Sequence, residues 1–150
     1  MEKVFISYAR ENHEAARNLY NTLLNRPDID PWLDVRRLKL VPYDDEIKKL
    51  IEESSCVLAL ISNASLSATG YVAVEWNHAL EKRKRVLPFL LDRSVENGNE
   101  PAAILKGINE INWVRAYESF EEGKKNRPAR NLRRSLKRSI SQDVLVARIR

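Results

Sequence analysis

Short blocks of consecutive apolar residues alternate along this chain with segments whose apolar positions recur every three or four residues. That is the pattern of buried parallel strands separated by amphipathic helices. The run over 3–8 reads as a first strand, and Ala15, Leu19, Leu23 and Leu24 then fall at helical spacing over 14–25. Residues 29–34 form a short second strand. Pro31 interrupts it and cannot donate to a ladder, which predicts an edge position. After a basic and apolar loop over 35–43, Asp44-Asp45-Glu46 opens a helix ending near residue 53, where the helix dipole favours acids. Ile47, Leu50 and Ile51 form its inner face.

Residues 56–62 are almost wholly apolar, as expected of a central strand covered on both faces. A short Ser-rich loop leads into a helix over 71–83, with Val72, Ala73, Trp76, Ala79 and Leu80 on one arc. A fourth strand follows over 85–91 with Pro88 near its middle, then a polar loop over 92–103 and a last strand over 108–114. A final helix over 117–140 is expected to break at Pro128.

Strands alternating with helices imply right-handed crossovers. The predicted fold is α/β and flavodoxin-like: a five-stranded parallel sheet of order 2-1-3-4-5 with helices on both faces. In that order the switch point lies between the first and third strands, so the loops after Tyr8 and Ser62 flank one crevice.

Length and charge refine this picture. The 150 residues suit one domain, read as 1–140, with 141–150 as a basic tail or the start of a linker. From Lys124 onward there are ten Lys/Arg against the single acid Asp143. Such runs are ordinarily solvated helix faces or linkers, and nucleic acid is not the expected partner. The lone Cys56 sits inside an apolar strand and forms no internal disulfide. The chain runs from Met1 straight into Val4-Phe5-Ile6 and holds no long apolar stretch, so a cytoplasmic location without membrane contact is expected.

Several chemistries are disfavoured. The four glycines, Gly70, Gly98, Gly107 and Gly123, build neither a GxGxxG nor a GxxxxGK[ST] pattern. His13 and His78 lack partners at metal-ligand spacing, so no metal is expected. Glu75 lies on the flank of the helix over 71–83, above Tyr71 and near the line of His78 and Lys82. Spacing alone leaves it an ordinary solvated or salt-bridging residue.

Three motifs change that reading. Val4-Phe5-Ile6-Ser7-Tyr8-Ala9-Arg10, then Trp32-Leu33-Asp34-Val35-Arg36-Arg37-Leu38, then the stretch from Ser65 through Tyr71-Val72-Ala73-Val74-Glu75-Trp76 resemble a TIR (Toll/interleukin-1 receptor) domain of the bacterial type. The likeness spans about residues 3–120, in the family's order and spacing, and implies the flavodoxin-like fold reached above. Two positions depart from the family pattern: Tyr71 stands where Trp is usual, and Pro42-Tyr43 where Pro-Gly is common.

In enzymatic members, a Glu preceded four residues earlier by an aromatic cleaves the nicotinamide–ribose bond of NAD⁺. The resemblance therefore implies Glu75 as the catalytic residue, with NAD⁺ as substrate and no resident cofactor. It also implies that Ser7, Tyr8, Arg10, Asp34, Ser67 and Tyr71 bind substrate. Plainer roles stay open: Ser7 and Asp34 can cap or turn the chain, and Arg10 can be solvated. The loop carrying Arg36, Arg37, Leu38, Leu40, Val41, Pro42 and Tyr43 corresponds to one that contacts a neighbouring subunit in TIR assemblies. The expected protein cleaves NAD⁺ once self-associated, in antiphage defence or immune signalling, with a fused or separate sensor domain as a further partner. The alternative is a non-catalytic adaptor acting through TIR–TIR contacts.

Overall fold

The computed structural model describes residues 1–33, 45–67, 71–96, 113–117 and 149. Its strands are β1 (Glu2–Ser7), β2 (Ile29–Leu33), β3 (Cys56–Ile61) and β4 (Arg85–Leu90). Its helices are α1 (His13–Leu24), α2 (Asp45–Glu53), α3 (Asn63–Ser67) and α4 (Tyr71–Glu81). The strands form one parallel sheet in the order β2-β1-β3-β4. Val114 extends it: Phe89 and Val114 make a parallel bridge, with Leu90 N–H donating to the Val114 carbonyl and Val114 N–H to that of Pro88, each at 2.8 Å. Val114 thus stands where the predicted order puts the fifth strand. The remainder of that strand and the final helix lie outside the described residues.

The period-2 alternation of strand side chains divides the core between two faces. Val4, Ile6, Cys56, Leu58 and Leu60 pack with Leu87 and Phe89 against Ala16, Leu19 and Leu23 of α1. Phe5, Val57, Ala59 and Ile61 point the other way, onto Ile47 and Ile51 of α2 and Val72, Trp76 and Ala79 of α4. Every residue of β3 is buried, as its unbroken apolar run predicts for a central strand. Ile149 joins the α1-side cluster.

Both strand prolines fit where they stand. Pro31 faces Val4 on the edge strand β2, beside a stacked Phe5–Trp32 pair with ring centroids 5.1 Å apart. Pro88 turns its carbonyl outward to Val114, while Leu91 N–H reaches inward to the Ile61 carbonyl. The missing N–H of Pro88 therefore subtracts nothing from the β3–β4 ladder.

Two expectations are corrected. The Ser-rich segment after β3 begins with a short helix, α3, because Ser62 and Ser65 cap it reciprocally. Ser65 N–H donates to Ser62 Oγ at 3.1 Å and Ser62 N–H to Ser65 Oγ at 2.8 Å. The buried arc of α4 is also rotated: Val72, Glu75, Trp76 and Ala79 face inward, and Ala73, Val74 and Leu80 face out.

Candidate active site at the sheet switch point

Helix α1 leaves β1 on one face of the sheet, while the chain leaving β3 passes to α4 on the other. The carboxyl ends of β1 and β3 therefore part company at a crevice, the usual ligand site of open parallel sheets.

The floor of that crevice is polar. Ser7 closes β1, paired in register with Ala59 of β3, and its place two residues after Phe5 puts it on the α4 face. Glu75 arrives on that face from α4. The Ser7 hydroxyl donates to Glu75 Oε2 at 2.6 Å, a bond between residues 68 apart in sequence that are both 0% exposed. Its length lies in the range of a hydroxyl donating to a carboxylate. Burying a carboxylate is costly unless hydrogen bonds compensate it, and Ser7 supplies one.

A second tie crosses the crevice. Ser62, just past β3, donates its hydroxyl proton to Asn12 Oδ1 at 2.6 Å while accepting Ser65 N–H. Asn12 ends a 3-10 turn (Arg10–Asn12) and occupies the N-cap position of α1, yet its side chain makes no capping bond there. It gives up a local contact usually worth about 1 kcal/mol to hold the end of β3 instead.

The remaining predicted residues fall as follows. Tyr8 is fully buried on the α1 face, its ring tilted against His13 at 6.0 Å. Arg10 is exposed at the start of the 3-10 turn. Ser67 is the last residue of α3 and Tyr71 the first of α4. The side chains of those two residues, together with Asp34, Arg36, Arg37, Leu38, Leu40, Val41, Pro42 and Tyr43, lie outside the described residues. The structure thus brings Ser7 and Glu75 together directly. Asn12, Ser62 and Ser65 were missed: with serine where the usual capping signature has Glu or Gln, Ser62-x-x-Ser65 carries no clear signal in sequence.

The Glu96 carboxylate accepts from the Tyr117 hydroxyl and, at 2.8 Å, from Arg115 Nε. Burial first, then that bond to Glu96, pushes the Tyr117 hydroxyl above its ordinary value. Burial pushes the Cys56 thiol up to about 12, with Arg85 opposing, so it is no nucleophile at neutral pH. Among the described residues no three His, Cys, Asp or Glu side chains gather as a metal site. None of the helices there is long and apolar enough to cross a membrane.

An open parallel α/β sheet with a carboxylate held at its switch point defines the class. The sequence profile of the TIR domain family matches residues 4–141, and the chain belongs to that family. Among solved structures it is similar to the TIR domains of the activated Roq1 resistosome that directly recognises the pathogen effector XopQ. The TM-score is 0.54 at 19% identity, covering 93% of this chain and 83% of that one. No curated protein matches the chain.

Proposed function

We propose that this TIR domain cleaves the nicotinamide–ribose bond of NAD⁺ with Glu75 as its catalytic carboxylate. The observation that carries this reading is the Ser7-bound Glu75 side chain, wholly buried at the crevice between β1 and β3. For holding α4 to the sheet, an apolar residue in that place would serve at least as well, because a buried charge is weak evidence of stability. That α4 turns Glu75 inward and leaves Leu80 39% exposed supports this reading.

One carboxylate suffices for this reaction. The C1′–N bond breaks with its electron pair passing to the pyridinium nitrogen, and nicotinamide departs neutral, so no general acid is required. The positive charge that develops on the ribose is then stabilised by the Glu75 carboxylate, a fixed group in a site sheltered from water. Water adding at C1′ gives ADP-ribose and a proton, whereas attack by a group of the same molecule gives a cyclic product. The chain has no glycine fingerprint for a resident dinucleotide, which suits NAD⁺ as a consumed substrate.

Activation by self-association, with the loop over 36–43 as contact, belongs to the same proposal, as does a role in immune signalling. Nicotinamide release from NAD⁺ should rise faster than linearly with protein concentration, and Glu75→Ala should reduce it by about 10²–10³-fold. Equal rates in the two proteins under conditions that promote assembly would leave the adaptor reading in its place.

A further inference from the structure

We infer that Ser7 is a positioning residue: its hydroxyl acts on the reaction by fixing the Glu75 carboxylate. This role rests on the reading of Glu75 as the carboxylate that cleaves NAD⁺. A serine hydroxyl has one proton to give, and that proton is committed to Glu75 Oε2 at 2.6 Å. None is left to donate to a phosphate oxygen. Ser7 is wholly buried, as is the Glu75 carboxylate it holds.

The support behind Ser7 is rigid. It closes β1, an interior strand with β2 on one side and β3 on the other, and its own ladder partner is Ala59. Glutamate, by contrast, has three side-chain torsions, and a carboxylate swinging through them would stabilise developing charge only part of the time. Joining its Oε2 to a strand residue orders the side chain before substrate arrives, the preorganisation that sites of this kind need. Strand alternation makes the placement specific. One residue further along, Tyr8 faces the opposite cluster with α1, so only position 7 can serve α4 from the end of β1.

The full chain carrying Ser7→Ala, Ser7→Thr or Ser7→Cys tests this in steady-state kinetics with NAD⁺. Ser7→Ala is expected to lower kcat by about ten- to a hundredfold, with KM within about twofold of wild type. Ser7→Thr keeps a hydroxyl and is expected to recover most of the rate. Should Ser7→Ala not fold, Ser7→Cys gives the same comparison, since a thiol is a weak donor. An unchanged kcat overturns the inference, as does a rise in KM alone, which would make Ser7 a substrate contact. A loss as deep as that of Glu75→Ala also overturns it, by making Ser7 a reacting group. A wild type without Glu75-dependent NAD⁺ consumption overturns the proposed function and this role with it. An active wild type matched by Ser7→Ala overturns this role alone.

Discussion

Glu75 and Cys56 are both wholly buried, in different surroundings. Cys56 lies among apolar side chains of the α1-side cluster, and burial raises its thiol to about 12. Alkylation by iodoacetamide at neutral pH should therefore track global unfolding, and rapid labelling of the native protein would contradict this placement. Glu75 instead meets a donor brought from a distant strand. Glu75→Gln keeps an oxygen for Ser7 and removes a buried charge, so its melting temperature should equal or exceed that of wild type while turnover is lost. A clear fall in melting temperature would assign Glu75 a structural role.

At the scale of elements, α4 shows what could and could not be read from sequence. Its span was legible from apolar spacing, and so was its nearness to the crevice. Its rotation was not, because Ala73 and Leu80 outrank Glu75 on any hydrophobic scale, whereas the bond from Ser7 that accompanies the inward turn of Glu75 is long-range. The end of α4 follows a Schellman pattern, with Lys84 N–H donating to the Ala79 carbonyl at 2.8 Å and Arg83 N–H to that of Leu80 at 3.0 Å. This puts Arg83 at φ 54°, where glycine is at ease and a side chain is not. Arg83→Gly should accordingly stabilise the fold by about 0.5–1 kcal/mol in denaturant unfolding. At the other end of the same connection, Ser62→Ala removes the cap of α3 and the tie to Asn12 together. It should cost about 1–2 kcal/mol by the same measurement.

For the whole molecule, the parallel sheet and its edge and central strands followed from apolar runs and proline positions, because those signals are local, and the strand order from the flavodoxin-like class they suggest. The polar floor of the crevice did not, since Asn12, Ser62, Ser7 and Glu75 come from separate segments that only the sheet brings together. Between the helices on the α4 face, Glu52 of α2 meets His78 at 3.0 Å and Lys82 at 3.3 Å. The hydrogen bond from Lys82 holds the Glu52 carboxyl below its ordinary value, with His78 adding to it. Its folded value being depressed, the tie contributes fully above the unfolded value of about 4.3 and is lost as acid protonates the carboxylate. Glu52→Gln should thus flatten the acid limb of a stability-against-pH curve, and an unaltered limb would count against the tie. The central claim, that the buried carboxylate at the switch point is there to cleave NAD⁺, is met most directly by mass-spectrometric detection of nicotinamide. Concentrated wild type and folded Glu75→Gln would each be incubated with NAD⁺. Nicotinamide from the wild type, reduced about 10²–10³-fold in the variant, is the predicted result. Equal nicotinamide from both, or none from either, would contradict it.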